Sequence, residues 1–426
     1  MMPTIIALIL SAAALLILLA QPSRVIYIKL LSVPVLCIIF ILCLILLSEP
    51  AVKAAIKGLS LWAEVVVPSL FPFFAAAEMI KSTGFMRAAG ILLEPVMRPF
   101  FRVPGCGSFP LLMGVTSGYP VGAKITCDFR KSGDLTKSEA ERLLAYTNNS
   151  GPLFIIGAVG TGMLGSHSMG IYLYICHVMA CVTVGFIFRF YKTGGKNETA
   201  RKITEIRSKG NLPRSFRKRL IDDYSKTVYH FGTILGDAIK NSVSTILAIG
   251  GFIVLFSVII NFLKESGLIS GLSQVISRAL PFLKPDKAII EGLLCGLFEI
   301  TTGSDFISNC TGVSAIHKLP VLSFIIGWAG LSVHCQVISI TAQTDVSIRP
   351  YILGKFLQGV ISSIYTWLGL KLLRPDILPL EPVLGNGVPV LRSWLYTFGT
   401  ASMLAAAVLL LFITAAIRRP GTALRK

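Results

Sequence analysis

Long hydrophobic runs separated by short polar stretches occupy most of this chain. An α-helix needs about 20 apolar residues to cross a bilayer, and eight runs approach or reach that length: 4–20, 30–47, 61–80, 168–188, 241–262, 319–341, 351–373 and 394–417. Three further apolar pieces, 110–125, 150–164 and 288–298, are too short to be ordinary spans. The pattern predicts an all-α polytopic membrane protein.

The pattern of apolar and polar stretches occurs twice along the chain. The string Ala55-Ile56-Lys57 matches Ala238-Ile239-Lys240, and Gly84 matches Gly267, at the same offset of 183 residues. A shared offset favours an internal duplication over chance identities. We therefore predict two N-terminal transmembrane helices (1–48) and two repeats (54–190 and 231–373). A linker (191–230) joins the repeats, and a C-terminal helix with a basic tail (374–426) follows the second.

Composition agrees with a membrane protein. The chain has 426 residues, of which 54% are hydrophobic and 14% charged, whereas soluble proteins average about 25% charged. The net charge of +19 does not indicate nucleic acid, because the basic residues gather in loops beside the hydrophobic runs. Residues 191–226 hold the densest basic cluster, and the positive-inside rule places this linker in the cytoplasm. The predicted partner of the chain is a lipid bilayer.

The charges also predict the topology. With the linker inside, the C-terminal tail falls inside only if 288–310 enters and leaves the membrane on one side, as a re-entrant helical hairpin. Counting spans back from the linker makes 110–125 a second such hairpin. The two hairpins then enter from opposite faces, so the repeats have inverted topology, as in many alternating-access carriers. Amphipathic stretches at 85–97 and 268–276 precede the hairpins; both interfacial helices and loop helices packed on the core fit their spacing.

The first repeat has two polar, glycine-rich interruptions. One carries Ser117, Gly118 and Tyr119, where glycine and proline permit a turn inside the membrane, and such backbone must be buried in protein or line a wet cavity. Lys124 follows; it either meets an anionic substrate at depth or extends to the rim. The other interruption, Asn148-Asn149-Ser150, leaves free carbonyls and a new helix N-terminus, which can bind a cation and an anion. The alternative is a surface loop.

The second repeat has matching interruptions. Glu299, Thr301 and Thr302 follow an apolar run, and an ionisable residue in the bilayer is a candidate functional group. Glu299 either exchanges a proton or is a structural carboxylate satisfied by the threonine hydroxyls. Ser332, His334 and Gln336 lie in the last interruption, where His334 either titrates or is a hydrogen-bonded structural residue. All of these residues are candidates for substrate binding.

Several strings resemble a known family of sporulation integral membrane proteins, YlbJ or SpoVV. They are Thr116-Ser117-Gly118-Tyr119-Pro120-Val121-Gly122-Ala123-Lys124, Tyr146-Thr147-Asn148-Asn149-Ser150-Gly151-Pro152 and Glu299-Ile300-Thr301-Thr302-Gly303. The resemblance implies two gate (nucleoside-recognition) domains similar in design to concentrative nucleoside transporters. It also implies an alternating-access carrier that moves dipicolinic acid, a small dicarboxylate, from the mother cell across the outer forespore membrane of a spore-forming bacterium.

Other functions remain open from the sequence. A nucleoside or other small-molecule:cation symporter and a non-transporting membrane scaffold are the alternatives, and a homo-oligomer is compatible with either. The chain has no soluble-enzyme signature, so we predict no catalytic residues and no enzyme. The nine cysteines have no paired spacing, and we predict no metal site and no cofactor beyond a coupling proton or cation.

Overall fold

The computed structural model describes residues 25–83, 85–192, 231–279, 286–310 and 312–373, and these residues are helical with short turns. Three of the described helices are long and apolar enough to cross a membrane: His167–Phe188, Phe231–Glu265 and Ala315–Thr341. A bent pair, Leu31–Leu46 and Ser48–Glu64, makes a fourth span if its two parts are counted together. The chain is thus an all-helical, multi-pass membrane protein in its described part. The hydrophobic runs 4–20 and 394–417 and the linker 191–230 lie outside the described residues, except for Tyr191 and Lys192.

The first half of the structure begins with two helices that meet at a sharp bend of 102°. Its elements are α1 (Val25–Leu46), α2 (Ser48–Leu61), a π turn (Trp62–Val66), α3 (Val67–Ser82), α4 (Phe85–Phe101), α5 (Ser108–Ser117), α6 (Val121–Lys131), α7 (Lys137–Thr147), a π-helical segment (Leu153–Met163) and α8 (His167–Phe188). The run 61–80 is therefore part of a longer helical stretch that begins at Ser48.

The second half follows the same order of elements. They are α9 (Phe231–Glu265), α10 (Leu268–Ala279), α11 (Lys287–Phe298), α12 (Ile300–Ser308), α13 (Ala315–Trp328), α14 (Gly330–Thr341) and α15 (Arg349–Leu373). Each half has a long helix, a short amphipathic helix, two short helices joined at a tip, a helix broken in its middle, and a closing long helix. The amphipathic stretches at 85–97 and 268–276 are helical, α4 and α10, as their spacing predicts. Met97 of α4 is buried in the core.

Local sequence explains where α7 begins. The hydroxyl of Thr136 accepts the backbone N–H of Glu139, and the carboxylate of Glu139 accepts the backbone N–H of Thr136. This reciprocal capping box satisfies two amide groups that the first helical turn leaves without partners. The Thr136 and Glu139 spacing predicts this cap from sequence, and the structure confirms it.

The two halves share one core. Tyr146, Leu143 and Phe101 of the first half pack in the same cluster as Tyr351 and Val337 of the second. A small residue permits the close approach of the halves: Gly354 of α15 lies against Ala145 of α7, and a Cβ on Gly354 would collide with the Ala145 carbonyl oxygen. Helix α15 in turn packs against α7 and α8. The interruptions of both halves are thereby brought to one place.

Candidate functional site

A cavity of about 480 Å³ lies between the halves. Both hairpin tips and both broken helices line it, together with Leu61, Val66 and Leu70 from the first long stretch and Ile249 and Ile253 from α9. Most of its wall is apolar, and a few polar groups converge on it. Ligand sites in proteins commonly have this size and character.

The cavity collects residues from all four of the predicted interruptions. Eight of the candidate residues line it: Ser117, Gly118, Tyr119, Ser150, Glu299, Thr301, Ser332 and Gln336. The other five, Lys124, Asn148, Asn149, Thr302 and His334, lie outside the set of lining residues. The cavity therefore has a mixed hydroxyl, amide and carboxylate lining but contains no lysine in its described wall.

The first hairpin tip is shaped by glycine. Helix α5 ends at Ser117, and the next residue, Gly118, has a φ of 96° in the left-handed region. A Cβ on Gly118 would lie 2.9 Å from the backbone nitrogen of Gly151. Only glycine fits this combination of backbone angle and close contact. The neighbouring Ser117 hydroxyl is buried and has no hydrogen-bond partner among the described residues. It is available to a molecule in the cavity.

Tyr119 connects the first tip to the second half. Its hydroxyl donates to the carbonyl oxygen of Ile326 in α13, over 2.9 Å, while the residue also lines the cavity. The tip is thus anchored to the helix that carries the other break. A movement of α13 relative to the first half would reach the cavity wall through this bond.

Glu299 caps the second tip. Its carboxylate accepts the backbone N–H groups of Thr301 (2.9 Å) and Thr302 (2.7 Å), and the Thr302 hydroxyl (2.8 Å). A carboxylate at a helix N-terminus satisfies exposed amides and interacts favourably with the helix dipole. The geometry agrees with the prediction that Glu299 is a structural carboxylate. That prediction named the threonine hydroxyls as its partners, whereas two of the three hydrogen bonds come from backbone amides. Glu299 is 4% exposed and lies in the cavity wall.

Lys124 forms an ion pair inside the protein. Its ammonium lies 2.8 Å from the Glu78 carboxylate and donates to the Thr245 hydroxyl over 2.9 Å. Its side chain is 20% exposed. These contacts join Lys124 in α6 to Glu78 in α3 and to Thr245 in α9, outside the cavity lining. In this conformation Lys124 neutralises the charge of Glu78.

The first helix break is buried. Asn148 and Asn149 are both 0% exposed, so the surface-loop alternative for this segment is wrong. The Asn148 amide donates to the Tyr351 hydroxyl (3.1 Å), and the Asn149 side-chain carbonyl accepts the Gln358 amide (2.8 Å). Buried polar groups require such partners, because leaving one unsatisfied costs about 1–3 kcal/mol.

The partners of this break come from a polar stripe that the sequence analysis missed. Helix α15 carries fully buried polar residues at i, i+3, i+7 and i+11: Lys355, Gln358, Ser362 and Thr366. This spacing places them on one helix face, and a lysine and a glutamine in an apolar run are a signal that the sequence contains. Tyr351 begins the same face, and its hydroxyl lies 3.1 Å from Nδ1 of His334. The contact agrees with the hydrogen-bonded structural interpretation of His334.

The fold and the cavity define a class: a multi-pass α-helical membrane protein with a small-molecule-sized cavity between two similarly built halves. Residues 63–191 match the Gate family, described as nucleoside recognition. The chain is also 41% identical, over 324 residues, to the sporulation integral membrane protein YlbJ of Bacillus subtilis (strain 168); the alignment covers 75% of this chain and 78% of that protein. The chain belongs to this family of sporulation integral membrane proteins.

Proposed function

We propose that this protein is a transporter that moves dipicolinic acid from the mother cell across the outer forespore membrane during sporulation. The observation that carries the proposal is the convergence of both hairpin tips and both helix breaks on one cavity of about 480 Å³. A scaffold has no need for polar backbone interruptions at the centre of the fold. A carrier does, because these interruptions expose backbone groups and helix termini to a cargo.

The proposed transport mechanism is alternating access. The equal order of elements in the two halves supports a repeat, and the short pairs α5–α6 and α11–α12 support re-entrant hairpins. Entry from opposite faces is supported by the distribution of basic residues along the sequence. Rocking of one half against the other would then open the cavity to each side in turn. The cargo assignment comes from membership in the sporulation family and from the fit of a small planar molecule to this volume.

Hydroxyl and amide groups would bind the cargo. Ser117, Thr301, Ser332 and Gln336 place hydrogen-bonding side chains in the wall, and the π-helical segment begins beside the cavity at Leu153. Anionic groups are favoured at helix N-termini. A planar dicarboxylate could lay its ring on the apolar wall, with its carboxylates against these polar groups.

A nucleoside is the second candidate cargo. The match of residues 63–191 to the nucleoside-recognition Gate family favours it, and a cavity with apolar walls and scattered hydroxyl and amide groups also suits a nucleoside. The two cargoes differ in charge, so they can be separated directly. Purified protein in liposomes should accumulate dipicolinate above protein-free liposomes, with little effect of excess uridine. Uptake of uridine alone would establish the nucleoside alternative.

A cavity-filling substitution tests the location of the path. A Cβ on Gly157, which lines the cavity, meets no atom of the described chain within 4 Å, so Gly157→Leu should place its side chain in the empty space and reduce dipicolinate uptake at least 10-fold. Gly251 of α9 is exposed and has equally open space around it, so Gly251→Leu is the matched control and should retain uptake. The readout is initial uptake into liposomes at equal reconstituted protein.

Sporulating cells supply the complementary test. A null strain should lose dipicolinate from the spore and accumulate it in the mother cell, and the Gly157→Leu gene should not restore the spore content. Full restoration by Gly157→Leu, with loss on deletion of 191–230 alone, would contradict transport and favour a scaffold.

A further inference from the structure

Lys355 is a fully buried lysine beside the first helix break. The residue is 0% exposed and lies in the second turn of α15, and its amino group donates to the backbone carbonyl of Asn148 over 2.9 Å and to the side-chain carbonyl of Gln358 over 2.7 Å. The same nitrogen lies 5.3 Å from the ring centroid of Tyr119. Two neutral oxygens and an aromatic face therefore surround it.

Carboxylates take no part in this environment. Within the described ranges, no acidic side chain lies within ion-pair distance of Lys355, whereas Lys124 has Glu78 at 2.8 Å. A buried charge usually requires an opposite charge or several hydrogen bonds. Neutral carbonyl oxygens at a helix break are instead ligands that suit a monovalent cation, and an aromatic face attracts a cation as well.

The helix break creates this group of oxygens. Helix α7 ends at Thr147, and Asn148 has the extended angles φ −92° and ψ 95°, so its carbonyl is outside the helical ladder. Unwound carbonyls and half-helix C-termini hold coupling cations in many carriers with broken helices. Gln358 is oriented by its bond to the Asn149 side chain, so the oxygens are preorganised around the position of the amino group.

The position is also close to the cavity. Tyr119 has one face toward Lys355 and is itself a lining residue, and Ser150, two residues beyond Asn148, lines the cavity as well. A positive charge at this position would act on an anion in the cavity through a single aromatic side chain. It would be held by the protein throughout the cycle.

We propose that the amino group of Lys355 occupies a monovalent-cation site at the first helix break, so that the protein carries its own cation and needs no sodium or other metal cation to build the binding site. This inference deepens the proposed function, on which its transport consequence rests. It assigns a positioning role to a residue outside the cavity wall. The site itself is a property of the fold and can be tested without any cargo.

Removing the amino group should convert the built-in cation into an exchangeable one. Lys355→Ala leaves the oxygens of Asn148 and Gln358 facing an empty space, so sodium, lithium or methylammonium should bind there. The expected result is a lowered melting temperature in detergent that rises by several degrees with millimolar sodium or methylammonium chloride, but not with choline chloride. Lys355→Met fills the same space with an apolar chain and is the matched control; its melting temperature should not respond.

Two outcomes would overturn the inference. One is a Lys355→Ala protein whose response to small cations equals that of Lys355→Met. The other is a wild-type protein whose melting temperature rises with sodium relative to choline, and this second measurement decides the question even if Lys355→Ala does not fold. Because neither measurement uses a cargo, a failure to transport dipicolinate would leave this result independent. If transport is observed, wild-type uptake should be equal in sodium and choline buffers.

Discussion

At the scale of single residues, three ionisable groups, Lys124, Glu299 and Lys355, have three different environments. Lys124 pairs with a carboxylate, Glu299 accepts helix-terminal N–H groups, and Lys355 donates to two neutral oxygens and lies near an aromatic ring. All three lie in largely apolar surroundings, where each unpaired charge would be costly. Their sequence positions in hydrophobic runs mark them as notable, but only their partners distinguish an internal ion pair, a helix cap and a cation site.

Lys124→Met should destabilise the protein through Glu78. Removing one partner of a partly buried pair leaves the other charge poorly compensated, at a cost of about 3 kcal/mol. The double variant Glu78→Gln with Lys124→Met should recover part of this loss, because it removes both charges. Thermal unfolding in detergent measures both values.

The same variants test whether Lys124 binds the cargo. With Lys124 placed as an internal partner, the double variant should retain dipicolinate uptake. Uptake lost equally in the single and double variants, with unfolding temperatures unchanged, would instead assign Lys124 to the cargo.

At the scale of elements, the second helix break depends on two left-handed residues. Ala329 has φ 79° and Gly330 φ 81°, and these angles end α13 at Trp328 and start α14 at Gly330. A Cβ on Gly330 would lie 3.1 Å from the Ile300 nitrogen and from the Phe298 carbonyl oxygen, and 3.2 Å from the Glu299 Cα. The break therefore packs directly on the tip that Glu299 caps, and the two interruptions of the second half form one structural unit.

Gly330→Ala should displace this tip. The substitution adds the strain of a left-handed alanine, about 1–2 kcal/mol, together with pressure on the backbone of the α11–α12 turn. We expect lower stability and a loss of uptake greater than the stability change explains. Gly133→Ala is the matched control, because Gly133 has φ 78° and open space around its Cβ position. This variant should lose only the stability that corresponds to the backbone strain. Equal uptake in the two variants would argue against a functional role for the tip.

At the scale of the whole molecule, an ion pair joins the halves near one end of the fold. Arg130 at the end of α6 donates to both carboxylate oxygens of Asp345, over 2.8 and 2.9 Å. These hydrogen bonds lower the pKa of Asp345 below its ordinary value of 3.8. A lowered folded-state pKa means that the pair contributes stability above the ordinary pKa and loses it as pH falls through the folded value.

Asp345→Asn should therefore weaken the contact between the halves by the same amount at pH 5.5 and at pH 8. The Asp345 and Arg130 side chains are 49% and 30% exposed, so solvent screening limits the pair to about 0.5 kcal/mol. Faster hydrogen exchange in the loop 342–348 is the expected result at both pH values. Glu49→Gln, which breaks an exposed pair with Lys53 inside α2, should leave that loop unchanged. A difference between wild type and Asp345→Asn that disappears at pH 5.5 would contradict the assigned pKa direction.

Much of the architecture could be read from the chain because bilayer length and helical period constrain sequence strongly. Hydropathy indicated the helical membrane class, the offset of 183 residues indicated similar halves, and the Thr136 and Glu139 spacing indicated a cap. Interruptions such as Ser117–Gly118 and Asn148–Ser150 were visible because polar and glycine residues are costly in apolar helices. Their clustering could be anticipated but not their contacts.

The sequence by itself determined the membrane class, the family and the positions of the four interruptions, since each depends on local composition, spacing or direct similarity. Tertiary structure decided which polar side chains enter the cavity and which serve the protein. Lys124 lies in a pair with Glu78, and Lys355, which is 207 residues beyond Asn148 in the chain, supplies the cation at the first break. These contacts depend on the packing of helices that are distant in sequence. A buried charged or polar group needs a hydrogen-bond or ion-pair partner within about 3 Å, and the tertiary structure decides which group lies there.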